Sequence, residues 1–170
     1  MCGIAGFLKL GGFDSSEAKQ RAKAMAHAII SRGPDEAGAW VDGAAGVALA
    51  HRRLSIIDLT SAGAQPMVSA SGRFVIVFNG EIYNHLELRR KLGKNSWRGH
   101  SDTETLLACF EAWGIEATLK ESVGMFAIAL WDGEDRILTF ARDRIGEKPL
   151  YYGWQGDYLL FGSELKAIKA

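Results

Sequence analysis

The chain has 170 residues, 48% of them hydrophobic, with Lys plus Arg equal to Asp plus Glu at 20 each. That length suits one well-buried core rather than two ordinary domains, and balanced charge without a basic run gives no footprint for nucleic acid. The start Met1-Cys2-Gly3-Ile4-Ala5 has no charged and apolar leader, and no apolar run reaches the roughly 18 residues of a membrane span, so a cytoplasmic protein without membrane contact is expected.

The first strand is expected over Gly3 to Leu8, an uninterrupted run of small and apolar residues that stops at Gly11-Gly12. A helix follows: Asp14 with Glu17 three residues on resembles a capping box, and Ala18, Ala22, Met25, Ala26 and Ile29 repeat on one face. Arg32-Gly33-Pro34-Asp35 ends it as a rigid exit of structural character. Between Ala37 and Asn79, short apolar runs, notably Gly46 to Ala50 and Phe74 to Phe78, predict strands. Two more helices are signalled, one opening at Asn84 with Glu87, the other at Ser101 with Glu104, the second turning Leu106, Leu107, Phe110 and Trp113 inward. Strands return at Met125 to Trp131, Arg136 to Ala141, Leu150 to Trp154 and Tyr158 to Phe161, with a turn at Asp132-Gly133. Strands grouped at both ends around central helices give an α+β class with helices covering antiparallel sheet.

Of the two cysteines, neither sits in a Cys-x-x-Cys or Cys/His pattern, so neither a disulfide framework nor a metal site is expected. Cys109 falls within a helical pattern and reads as a small buried residue. Cys2 is different in kind. A thiol attacks as thiolate and needs a base nearby; removal of Met1 would leave an α-amine on the nucleophile's own residue. Taken alone, Cys2 better fits a small residue opening a buried strand.

The motifs Met1-Cys2-Gly3-Ile4, Arg32-Gly33-Pro34-Asp35, His51-Arg52-Arg53-Leu54-Ser55-Ile56-Ile57-Asp58, Asn79-Gly80-Glu81-Ile82-Tyr83-Asn84 and Ser101-Asp102-Thr103-Glu104 occur in the order found in class II glutamine amidotransferases. Arg142-Asp143-Arg144-Ile145-Gly146-Glu147-Lys148-Pro149-Leu150-Tyr151 and Ser163-Glu164-Leu165-Lys166 extend the likeness over the whole chain, which most resembles the glutaminase half of glutamine-hydrolysing asparagine synthetase. The resemblance implies the N-terminal nucleophile hydrolase fold, a four-layer αββα sandwich of two antiparallel sheets covered by helices. It also implies hydrolysis of L-glutamine to glutamate and ammonia through a Cys2 thioester.

By the same resemblance, Cys2 is the nucleophile with its α-amine as base, and Asn79 and Gly80 form the oxyanion hole. Such donors are needed where charge develops on the amide oxygen. Free glutamine is a zwitterion, so its recognition needs a cation and anions; the resemblance gives Arg53 to the carboxylate, Glu81 and Asp102 to the ammonium, and backbone near Ile56 and Ile57 to the rest of the pocket. Read singly, Asn79-Gly80 also fits a turn after a strand, Arg53 a surface charge, Glu81 a solvated loop residue and Asp102 part of a helix start.

No cofactor is expected for this reaction. ATP and magnesium belong to the synthetase domain that the family carries beyond this segment, and that domain or a separate subunit is the expected partner, accepting the ammonia. Glucosamine-6-phosphate synthase and amidophosphoribosyltransferase carry related domains, so another acceptor is an alternative, as is a glutamine-binding module without turnover. Two departures stand out. Ser31 takes the place of the His that usually precedes Arg-Gly-Pro-Asp, and Gly11-Gly12-Phe13-Asp14-Ser15 imitates a pyrophosphate loop while already serving as a strand-to-helix connection.

Overall fold

Strand side chains alternate between two faces, and here both faces of every central strand are apolar. In β5 (Phe74–Ile82), Val75 and Val77 join one buried cluster while Phe74, Ile76 and Phe78 join another. In β6 (Gly124–Asp132), Ala127, Ala129 and Trp131 separate likewise from Phe126, Ile128 and Leu130. A sheet that is apolar on both faces must be covered on both.

The computed structural model describes residues 1–54, 61–93 and 96–170. Strand β1 (Gly3–Lys9) leads to helix α1 (Ser15–Ala28), then β2 (Glu36–Asp42), β3 (Val47–Arg53) and the short β4 (Met67–Val68). After β5 come α2 (His85–Leu92), α3 (Asp102–Trp113) and α4 (Ile115–Glu121). The chain closes with β6, β7 (Ile137–Arg142), β8 (Tyr151–Gln155), β9 (Tyr158–Gly162) and the single turn of α5 (Leu165–Lys169).

All strand pairs are antiparallel, in one sheet of order β2-β3-β1-β9-β8 and another of order β4-β5-β6-β7. Three clusters fill the three interfaces. Ile4, Val47, Leu49, Val75, Val77, Ala127, Ala129, Trp131 and Phe161 lie between the sheets. Ala5, Phe7, Ala48 and Ala50 meet α1 and Ala167 of α5. Ile76, Phe78 and Ile128 meet Leu88 of α2 and Leu106, Leu107 and Phe110 of α3, with Ile115 and Leu119 of α4 packed beside them. The result is a helix, sheet, sheet, helix sandwich, as expected.

Local signals fared unevenly. Asp14 caps α1, its carboxylate accepting from the Glu17 N–H at 2.9 Å, and Ser101 caps α3 from the Glu104 N–H at 3.3 Å. Asn84 precedes α2 without capping it. Its side chain spans instead to the end of α4, donating to the Glu121 carbonyl and accepting from the Val123 N–H, both at 2.9 Å. The strand expected to stop at Phe78 runs on through Asn79, Gly80 and Glu81 to Ile82, paired throughout with β6, so Asn79-Gly80 is strand and not turn. Helices α4 and α5 had no clear signal in the pattern. Gly11 and Gly12, both at positive φ, join β1 to α1, so the imitation of a phosphate loop is a connection.

Truncating the inter-sheet layer should be costly. Leu49→Ala is expected to lower stability by about 2–5 kcal/mol in urea unfolding, by lost burial and the cavity left behind, whereas Trp154→Ala on β8, 63% exposed, should change it by less than about 0.5 kcal/mol.

Candidate active site

The start of β1 and the far half of β5 belong to different sheets, and the cleft between them is lined by Cys2, His51, Arg53, Asn79, Gly80, Glu81 and Asp102, together with Gln65 and Met125. Six of the eight residues proposed from the sequence thus meet in one place. Ile56 and Ile57 lie outside the described residues.

Cys2 is half-buried just before β1, and its Sγ lies against the backbone of Leu54, 3.4 Å from the amide nitrogen and 3.6 Å from the carbonyl oxygen. Its own carbonyl accepts from Arg32 Nε at 3.0 Å, and the same guanidinium reaches Glu164 at 3.2 Å. Arg32 is therefore more than a helix exit: it ties the backbone of the thiol residue to the turn after α1. Gly33 lets that turn pass against β3, since a β-carbon there would lie 2.5 Å from the Arg52 carbonyl, and Arg52 Nε in turn donates to the Gly33 carbonyl at 2.8 Å.

Asn79 is 1% exposed, and its Nδ2 has no hydrogen-bond partner among the described residues. Burying an amide donor unpaired is unfavourable, so the group is set up for an acceptor that enters the cleft. At Gly80 a β-carbon would collide with the Met125 carbonyl oxygen, and at Gly124, in the next register position but one, with that of Glu81. Only glycines permit this close passage of β5 along β6 beside the thiol. Gln65, missed in the sequence, braces the same strand: its Oε1 accepts from the Phe78 N–H at 2.7 Å and its Nε2 donates to Thr103 Oγ1 at 3.3 Å. An amide before a proline carries no periodic signal that would have marked it.

Arg53 is buried and pairs with Glu36 at 2.8 Å. Asp102 opens α3, its carboxylate accepting from the Ile82 and Thr103 N–H groups at 2.9 Å each. Burial and the nearby Glu81 carboxylate push Asp102 up to about 6 despite those donors, so it is an anion at neutral pH held in surroundings that would gain from a cation. His51 bridges the sheets, its Nε2 donating to the Phe78 carbonyl at 3.1 Å; burial, with Arg53 and Arg52 nearby, lowers it to about 4 and keeps the ring neutral. The second thiol is inert by comparison, since burial pushes Cys109 up to about 12. Among the described residues no group of three or more His, Cys, Asp and Glu side chains is arranged to hold a metal ion.

The two shifted groups act oppositely on stability. His51 binds a proton more readily unfolded, so between about 4 and 6.5 it makes the fold more stable as pH rises; Asp102 binds one more readily folded, so between 3.8 and about 6 it makes the fold less stable as pH rises. Asp102→Asn removes the second effect alone. Its urea-unfolding stability should climb more steeply with pH than that of the parent across this window, by up to about 1.4 kcal/mol per pH unit; parallel curves would contradict the assignment.

The chain is 40% identical over 99% of its length to a glutamine-hydrolysing asparagine synthetase of Bacillus subtilis and 41% identical over 99% to one of Arabidopsis thaliana. It spans only 22% and 28% of those relatives. Glutamine phosphoribosylpyrophosphate amidotransferase from B. subtilis shares the fold, with a TM-score of 0.81 at 21% identity over 99% of this chain and 43% of that one. The family profile of the glutamine amidotransferase domain matches residues 1–170, and the chain belongs to that family, as a class II glutamine amidotransferase domain.

Proposed function

We propose that this domain hydrolyses the side-chain amide of L-glutamine through a thioester on Cys2 and supplies the ammonia to an amidation of the asparagine synthetase type. The observation that carries the reading is the meeting, in one cleft, of the Cys2 sulfur with the buried and unpaired amide of Asn79.

In this scheme Met1 is removed, and the α-amine of Cys2 accepts the thiol proton as sulfur attacks the amide carbon. Negative charge passes to the former carbonyl oxygen, where Asn79 Nδ2 and the Gly80 N–H donate to it. The amine returns the proton to the departing nitrogen, ammonia leaves, and a glutamyl thioester remains. Water then attacks with the amine again as base, the carbon–sulfur bond breaks, and glutamate departs with the thiol restored. The chemistry draws on side chains, backbone and water alone.

Recognition of the zwitterion follows from charge. Arg53 is assigned the substrate carboxylate, and Asp102 with Glu81 the ammonium, whose arrival offsets the burial and the Glu81 charge that together raise Asp102. The acceptor of ammonia belongs to the further length that the asparagine synthetase relatives have and this segment does not span, and ATP and magnesium are expected to be needed there.

The test is ammonia release from glutamine by the chain with Met1 removed. Cys2→Ala is expected to abolish it, and Asn79→Ala to lower kcat by about 10²–10³ with the fold intact. An electrophilic glutamine analogue should add one label, at Cys2, and none at buried Cys109. Unchanged turnover in Cys2→Ala would remove the nucleophile from the scheme; an unlabelled chain that binds glutamine without turnover would make it a binding module.

A further inference from the structure

The motif Arg142 to Lys148 is the longest charged stretch that the scheme above leaves without a task, and it is built as a rigid cradle. The Asp143 carboxylate accepts from the backbone N–H groups of Phe126 at 3.1 Å, Glu147 at 2.8 Å and Lys148 at 3.0 Å. Arg142 closes the other side, its Nε donating to the Lys148 carbonyl and its second nitrogen to that of Gly146, each at 2.6 Å. Gly146 turns at a φ of +71°, and a β-carbon there would lie 3.1 Å from that guanidinium, a conformation and a clearance that suit glycine.

What the cradle holds is a lysine only 5% exposed. Among the described residues the hydrogen-bond partners of its Nζ are two thioethers, Met125 Sδ at 2.9 Å and Met1 Sδ at 3.6 Å, and both methionines line the cleft. Thioether sulfur is a weak acceptor and carries no charge, so among the described residues no carboxylate is hydrogen-bonded to this buried Nζ. Five bonds separate Met1 Sδ from the Cys2 nitrogen, which places the two nitrogens within about 10 Å of each other. Loss of Met1 takes away one of the two sulfur partners and opens Nζ toward the new chain terminus.

We propose that Lys148 is a positioning residue for catalysis whose fixed positive charge holds the freed α-amine of Cys2 in its neutral, proton-accepting form. The inference rests on the reading of Cys2 given under Proposed function. A cation at this range disfavours a second one, and a base that stays unprotonated near neutrality is what the first step requires. The other charges facing the amine come from separate elements. Arg32, on the Cys2 carbonyl, is offset by Glu164 and Arg53 by Glu36, while Glu81 and Asp102 act in the opposite sense to Lys148. Neutral His51 contributes no charge, and the Asp143 carboxylate, kept ionised by its backbone donors, acts in the opposite sense to Lys148. Replacing Lys148 alone leaves all of these in place.

The amine is titrated directly by competitive acetylation with acetic anhydride, read by mass spectrometry of the N-terminal peptide, in the Cys2→Ala chain with Met1 removed, so that no thiol competes. Lys148→Met is expected to raise the midpoint by about half a unit to one unit, and Lys148→Arg to restore it. In the chain with Cys2 intact, the acid limb of kcat at saturating glutamine should move up by the same amount, a loss of about 3–10-fold on that limb that a purely structural lysine would not produce. Should Lys148→Met fail to fold, Lys148→Gln, which keeps a polar end beside the sulfurs, gives the same reading. A midpoint unmoved in a folded variant overturns the inference while leaving the role of Cys2 standing; ammonia release by Cys2→Ala would instead overturn the reading beneath it.

Discussion

The constraint on which everything else depends is that two sheets, each apolar on both faces, must be stacked and covered. Stacking brings β1 of one sheet opposite β5 of the other, and a residue at the very start of β1 is thereby delivered to the flank of a strand more than seventy positions away in the sequence. Hydrophobic burial sets the spacing but is indifferent to sliding. The direction comes from a polar tie, the neutral ring of His51 on β3 donating to the Phe78 carbonyl on β5 immediately before Asn79. A charged imidazole would pay heavily for that location, and the depressed proton affinity of His51 is the counterpart of its fixed place between the sheets.

Around that tie the cleft is divided by charge type. Arg53 brings a cation from β3, Asp102 and Glu81 bring anions from α3 and β5, and the sulfur lies among backbone atoms at its rim. The ligand proposed above, with a carboxylate and an ammonium, matches this division in sign. Helix α3 contributes through its first turn, where Asp102 also benefits from the free N–H groups that a helix start presents.

Much of this was legible in the residues. The capping pattern at Asp14, the alanine-rich face of α1 and the two-faced apolar runs of β5 and β6 specify layers directly, because period and burial are local properties. Asn79-Gly80 was readable only through its resemblance to a motif, and its local appearance pointed to a turn. Strand pairing with β6, a long-range interaction, overrode that tendency. Gln65 and Lys148 were opaque for a related reason. Each acts by reaching from a loop to an element remote in sequence, one to Phe78 and Thr103, the other to Met1 and Met125, and no spacing rule encodes such a reach. Arg32 was assigned to the turn, while its guanidinium serves the thiol residue.

The inner face of α1 is built largely of small side chains. Ala18, Ala22 and Ala26 let the helix settle closely on Ala5, Ala48 and Ala50, in one cluster with Phe7, Met25 and Ile29. Its far end runs without slack through Ile29 into the turn that carries Arg32, and so to the carbonyl of Cys2. The seating of the helix is thereby linked, through Arg32, to the residue that carries the thiol. Bulk added to that alanine surface would be felt as a displacement at the thiol, at the opposite end of the helix from the cap that starts it.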